Sequence, residues 1–191
     1  MAERPHLQII IVSTRDGRAG LPIATWFHEH AKAHGGFEVE LVDLREIALP
    51  LFDEPHHPRL RKYEHAHTKA WSARIEKADA FVFVTPEYNH GTPPSLLNAL
   101  DYLIHEWAYK AAGFVSYGGV SGGTRGVQMT KQVLSGLKIV PIVEAVNIPF
   151  FTKKIHEGVF DGADQEKAAT AMLDELVRWN TALATLRPAR P

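Results

Sequence analysis

Apolar and polar positions alternate along this chain in two distinct textures. Residues 7–12 read LQIIIV, a nearly unbroken apolar run rich in β-branched side chains. A strand covered on both faces needs that composition. Residues 80–85, AFVFVT, and 113–117, GFVSY, have the same texture. Residues 37–42, FEVELV, instead alternate apolar with charged positions, as a strand nearer a sheet edge does. A last strand is expected over 139–146. Between these runs the pattern predicts helices over 19–34, 65–77, 93–107, 125–137 and 164–186. Gly35 and Gly36 close the first, and Pro93 and Pro94 open the third, where a missing N–H does no harm. A stretch rich in proline and histidine, 49–60, interrupts the pattern. A charged loop is expected over 152–163, and the RPARP tail, 187–191, should be disordered.

Strand–helix alternation of this kind implies an α/β fold with a parallel sheet covered by helices on both faces. Five strands fit one three-layer, doubly wound domain over residues 1–191, with no internal repeat and no linker. That length supports one real core and not two. A formal net charge of −1 argues against nucleic acid as a partner. No cysteine occurs, which excludes disulfides, thiolate metal sites and a thiol nucleophile. No apolar run approaches the ~20 residues of a membrane span. The N-terminal MAERPH lacks the apolar core of a secretory signal, so a cytoplasmic protein is expected.

In open parallel sheets the ligand lies at the carboxyl ends of the strands. The segment after the first buried strand is STRDGR. Ser13, Thr14, Arg15, Gly17 and Arg18 bring hydroxyls and guanidiniums to a helix N-terminus, which suits an anion. The same residues would also serve as an ordinary capped turn. Neither G-x-x-x-x-G-K-[ST] nor G-x-G-x-x-G is present, so a single phosphomonoester suits the loop better than a pyrophosphate. Asp43 could stand in for the acidic ribose partner of a dinucleotide site.

The segment after the second buried strand is PEYNHG, a rigid turn able to present backbone groups along a planar ring, although its residues are also common in plain loops. The third is SYGGVSGGTRG, whose glycines imply close backbone approach. Within it, GVSGG matches the G-x-S-x-G nucleophile elbow, and Ser121, Glu144 and His156 would complete a hydrolase order. Only one histidine follows Ser121, however, and it lies in a charged stretch. His56-His57 and His65-x-His67 could suggest a metal, but two-residue spacing sends helical side chains to different faces. A solvated loop and no metal is the expectation there. Trp107 is a candidate interface anchor.

Taken together, the three segments resemble the NADPH-dependent FMN reductases of flavodoxin-like fold, with their related quinone, chromate and azo-dye reductases. The likeness covers about residues 7–180 and is most specific in PEYNHGTPPSLLNALD. It implies bound FMN, NADPH or NADH as hydride donor, a small-molecule electron acceptor, and a homodimer that often pairs into a tetramer. By the resemblance, Ser13, Arg15 and Arg18 bind the FMN phosphate. Pro86, Glu87, Tyr88 and Asn89 run along the isoalloxazine, and Ser116, Gly118, Gly119 and Ser121 form the third loop. Leu97 stands where the family often has Lys, and Gly91 where it often has Ser, which should loosen that turn. A flavodoxin-type electron carrier shares the fold, but carriers are usually strongly acidic. The expected dimer buries the apolar positions Leu96, Leu97, Leu100, Leu103, Ile104 and Trp107.

Overall fold

The structure is a computed structural model, described here over residues 4–187. Five parallel strands form the sheet: β1 (His6–Ile11), β2 (Glu38–Asp43), β3 (Ala80–Pro86), β4 (Ala111–Gly118) and β5 (Val140–Pro149), in the order β2-β1-β3-β4-β5. That order is the flavodoxin-like one. The strand period sorts the apolar run of β1 and its continuation to opposite sides. Leu7, Ile9 and Ile11 pack under α1 (Gly20–His34) and α6 (Glu166–Leu183). Ile10 and Val12 pack against α3 (Ala66–Glu76), α4 (Pro94–Asp101) and α5 (Thr124–Gly136). Two apolar layers therefore explain why the run is continuous rather than alternating. A one-turn helix, α2 (Leu44–Ile47), follows β2 directly, and a hydrogen bond from Arg45 N to Asp43 Oδ1 (3.0 Å) caps it.

The helix expected over 93–107 ends earlier, at Asp101. Its last carbonyls have other donors. Trp71 Nε1 donates to Ala99 O (3.0 Å), and Trp107 Nε1 donates to Leu100 O (3.2 Å). Helix ends leave carbonyls with spare acceptor capacity, and here two indoles use it, that of Leu100 alongside Leu103 N. Trp107 is consequently not an interface anchor: it is fully buried, 4.9 Å from Phe81 and 6.0 Å from Trp71 between ring centroids.

The stretch 49–60 lies against α4. Asn98 Nδ2 donates to Pro50 O (2.6 Å), and the Tyr102 hydroxyl donates to Asp53 Oδ1 (3.0 Å). Histidines within and beyond it are engaged rather than simply solvated: His56 Nε2 lies 3.2 Å from Glu64 Oε1, and His67 Nε2 of α3 lies 3.2 Å from Asp53 Oδ1.

The charged loop expected over 152–163 contains a small antiparallel hairpin, β6 (Ile155–His156) and β7 (Val159–Phe160). It is anchored by buried Phe160 edge-on to Trp26 of α1, 5.3 Å between centroids. Of the expected disordered tail, Arg187 is fixed by hydrogen bonds to Asp79 and Asn180. Residues 188–191 lie outside the described residues.

Candidate functional site

The loops after β1, β3 and β4 meet in one cleft of about 550 Å³ at the carboxyl ends of the strands. From the first loop it is lined by Ser13, Arg15 and Arg18, and from the second by Pro86, Glu87, Tyr88 and Asn89. Gly118 and Gly119 supply the third side. A larger hollow of about 750 Å³ lies at the opposite, amino ends, beside Lys110 and Asp79, away from all three loops.

The first loop meets α1 at Ala19, and no side chain caps that helix end. Its first free N–H groups, together with the helix dipole, favour an anion. Arg15 is exposed; its carbonyl oxygen accepts from Arg45 Nη1 (3.5 Å), while its guanidinium makes no hydrogen bond or ion pair among the described residues. Arg18 is largely buried and paired with Asp43, while its buried Nε has no hydrogen-bond partner. Asp43 is committed to Arg18 and to Arg45 N, so it does not stand free for a ribose.

The Ser13 hydroxyl lies 2.8 Å from the Tyr88 hydroxyl. Tyr117 reaches the first turn of α1: a Cβ added at Gly20 would lie 2.7 Å from its hydroxyl. Burial raises the Tyr117 hydroxyl well above its usual range, reinforced by Tyr88 and opposed by Ser13, Arg18 and Arg15, so it stays a neutral donor.

The second loop closes on itself. Tyr88 N donates to Gly91 O (3.1 Å) and Gly91 N to Tyr88 O (2.9 Å), with Asn89 at φ 51° and His90 at φ 69° between them. Two left-handed central residues define a type I′ turn, which Asn in particular tolerates. Gly91 does not loosen it, because both of its backbone groups hold the closing pair.

The Glu87 side chain bolts this turn to the third loop. Its carboxylate accepts from Ser121 Oγ (2.8 Å), from Arg125 Nε (3.0 Å) and from Arg125 N (3.2 Å). It thereby caps α5, whose own N-cap, Gly123, has no side chain. Burial pushes the carboxyl up, but the bonds from Arg125 and Ser121 and the Arg125 charge outweigh it, so its pKa lies below the ordinary value.

Ser121 therefore donates to a carboxylate and accepts from Arg125 Nη2 (3.0 Å), with no histidine among its partners. Ser116 is fully buried, donating to Gly122 O (2.8 Å), with Asn147 Oδ1 3.0 Å from the same hydroxyl. Ser116 and Ser121 brace the third loop from behind the cleft wall. Gly118 must be glycine, since a Cβ there would lie 2.9 Å from Gly123 N.

Sequence reasoning missed Tyr117 and Phe151, which complete the lining and pack edge-on, 5.2 Å between centroids. The strand-end rule could have found Phe151, because it follows the end of β5. Among the described residues, no group of three or more His, Asp or Glu could hold a metal ion. No helix among them is long and apolar enough to cross a membrane.

A parallel flavodoxin-like sheet, with an uncapped helix end and two arginines over its carboxyl edge, defines a doubly wound α/β domain with an anion-accepting cleft where such folds bind nucleotides. A family model described as NADPH-dependent FMN reductase matches residues 5–153. An NAD(P)H-dependent FMN reductase of Schizosaccharomyces pombe is 44% identical over 163 residues, covering 83% of this chain and 80% of that protein. A quinone reductase of Escherichia coli is 29% identical over 188 residues, 95% of each chain. The solved flavoenzyme NAD(P)H:(acceptor) oxidoreductase of Paracoccus denitrificans has a TM-score of 0.74 at 20% identity, covering 93% of this chain and 98% of that one. The chain belongs to the NADPH-dependent FMN reductase family. It is a flavin oxidoreductase with FMN as cofactor and a reduced nicotinamide nucleotide as substrate.

Proposed function

We propose that this single domain binds FMN in the cleft between the three loops and uses it to reduce a small acceptor, a free flavin or a quinone. The observation that carries the reading is the meeting of an anion cradle and a rigid turn in one cleft of about 550 Å³. The residues fit the cofactor at its phosphate end. An uncapped helix start, the partnerless buried Nε of Arg18 and the free Arg15 guanidinium all call for an anion.

When bound, FMN supplies the redox chemistry, accepting hydride from the nicotinamide and delivering electrons to the second substrate. Arg15, Arg18 and Ser13 would hold its phosphate. The Tyr88–Gly91 turn would set backbone groups of Pro86, Glu87, Tyr88 and Asn89 along the ring edge. Gly118 and Gly119 would let the ring approach the third loop closely. The Glu87–Arg125–Ser121 bonds keep the second and third loops at a constant separation, which is the preorganisation that a hydride transfer needs. Tyr117 and Phe151 narrow the cleft against water.

The reading includes a homodimer, and exposed Leu51 and Phe52 beside α4 are the apolar surface that supports it. Pairing into a tetramer and a cytoplasmic setting belong to the same proposal.

The test is to reconstitute the purified protein with FMN, extract and weigh the retained chromophore, and add NADPH without oxygen. Retained FMN that bleaches with NADPH and recolours with a quinone is the expected result. Failure to retain FMN, or a bound flavin that NADPH and NADH both leave coloured, would overturn the reading. Light scattering of the holoprotein should give two or four times the chain mass, and a monomer at full activity would remove the dimer from it.

A further inference from the structure

Phe150 follows the last residue of β5 with φ 50° and ψ 40°, in the left-handed region. A bulky side chain is an outlier there, and strained residues of this kind gather at binding sites. Burial of the ring does not offset the strain, because Phe150 is 51% exposed. The backbone is instead pinned from both sides. Phe150 N donates to Gly119 O (3.1 Å), and Lys153 N donates to Phe150 O (3.0 Å). Gly119 lines the cleft, as does the next residue, Phe151. The Phe150 ring is thus held open on the rim of the proposed flavin site.

A cation accompanies it. Lys153 Nζ lies 5.5 Å from the Phe150 ring centroid and makes no ion pair among the described residues. Its neighbour Lys154 is already paired with Asp164. Tyr109 is a second aromatic residue at positive φ beside a lysine, but its hydroxyl is bonded to Lys138 Nζ (3.1 Å), so that pair is internally satisfied. At Phe150 the ring is half-exposed, and the ammonium over it has no anionic partner among the described residues.

An exposed aromatic face stacks on a planar base, and a lysine ammonium serves as a point charge for phosphate. We propose that Phe150 and Lys153 form the subsite for the adenosine end of the reduced nicotinamide nucleotide, with Lys153 selecting the form that carries a 2′-phosphate. This rests on the reading of the cleft as an FMN site reduced by such a nucleotide. It deepens that reading by assigning the preference for NADPH over NADH to one side chain.

The FMN-loaded enzyme is compared with Lys153→Gln and Phe150→Asn, the latter chosen because Asn tolerates the left-handed turn. Three donors are used: NADPH, NADH and dihydronicotinamide riboside, which lacks the adenosine and every phosphate. Lys153→Gln should lower kcat/KM for NADPH by about tenfold and leave NADH unchanged, as loss of one charge-assisted contact would. Phe150→Asn should lower kcat/KM about tenfold for both nucleotides and spare the riboside, which never reaches that residue. Phe150→Tyr, which keeps an aromatic face, should retain the parent kcat/KM for both nucleotides. Calorimetry with adenosine 2′,5′-bisphosphate should show binding to the parent protein and much weaker binding to Lys153→Gln.

An unchanged NADPH-to-NADH ratio in Lys153→Gln with unchanged bisphosphate binding would overturn the subsite. So would an equal loss with the riboside in Phe150→Asn, which would assign Phe150 to loop stability or to contact with a second copy. Failure of the parent protein to hold FMN is a separate result, which strikes the cleft reading and this inference with it.

Discussion

The hydroxyl of Tyr88 lies 2.8 Å from Ser13 Oγ, joining the turn after β3 to the loop after β1. By the resemblance Tyr88 belongs to the loop along the flavin ring, yet its side chain ends among the groups expected to meet the phosphate. Ser13 can accept from Tyr88 while donating to a phosphate oxygen. Tyr88→Phe should therefore weaken FMN binding by about 0.5–1.5 kcal/mol, the usual worth of one hydrogen bond, and leave riboflavin affinity unchanged. Fluorescence titration of the apoprotein with both flavins checks this. Equal losses would place the Tyr88 hydroxyl outside phosphate recognition.

Arg15 and Arg18 should separate by their surroundings. Arg15→Ala removes an exposed guanidinium and should reduce FMN affinity by about 1.5–3 kcal/mol with little change in melting temperature. Arg18→Ala also strands the largely buried Asp43 carboxylate, and breaking such a pair costs on the order of 3 kcal/mol of stability. Paired titration and thermal unfolding would distinguish the two. If both variants melt with the parent protein, the Arg18–Asp43 bond has no structural weight.

Glu87 links stability to pH. Its folded pKa is depressed, so the stability it adds is fully present above the unfolded value, near 4.3 for a free Glu, and is lost as pH falls through the lower folded value. Glu87→Gln lacks that contribution at every pH. The parent protein should be the more stable of the two at neutral pH, and the gap should close progressively below about pH 4. Thermal unfolding of both proteins from pH 7 downward measures it. A constant gap would show that the carboxylate charge is not what holds the two loops.

Ser121→Ala should leave ester hydrolysis negligible in both proteins, because the Ser121 hydroxyl is spent on Glu87 and Arg125. A p-nitrophenyl ester assay would reveal an esterase. A rate that vanished with the substitution would revive the nucleophile elbow.

Trp107→Ala should lower stability by about 3–5 kcal/mol, as deletion of a buried aromatic does, and by the same amount at every protein concentration. Urea unfolding across a hundredfold range of concentration is the measurement. A midpoint that moves with concentration more steeply than in the parent would return Trp107 to an interface.

Much of this architecture was legible because strand burial leaves a one-dimensional signature. Residues 7–12, 80–85 and 113–117 announced strands covered on both faces, since each must place apolar groups on two sides at once. The loops that follow them were legible through the strand-end rule, which needs no knowledge of side-chain contacts. Gly35 marked the end of α1 correctly, at φ 75° in the left-handed region. The pattern failed where a distant residue set the outcome. The periodicity of 93–107 is helical, yet the helix ends at Asp101, where Trp71 and Trp107 donate to the carbonyls of its last turn. The hairpin of β6 and β7 has too few residues to show a period, and Phe160 fixes it against α1.

The amino-acid sequence by itself determined the α/β class, the parallel sheet and the three segments that line the cleft. Each of those follows from local composition: apolar runs, glycines at turns, and hydroxyls and guanidiniums beside a helix start. The tertiary structure alone decided what each side chain does there. Asp43 became the counter-ion of Arg18 because β2 lies beside β1. The Glu87 carboxylate and the Ser121 hydroxyl bond each other across the second and third loops because the β3 and β4 loops emerge side by side. Side-chain roles depend on distances between residues 25 to 38 positions apart, as in Arg18–Asp43 and Glu87–Arg125. Hydrogen bonds and ion pairs act over a few ångströms of space, so only the packed sheet brings those partners within reach.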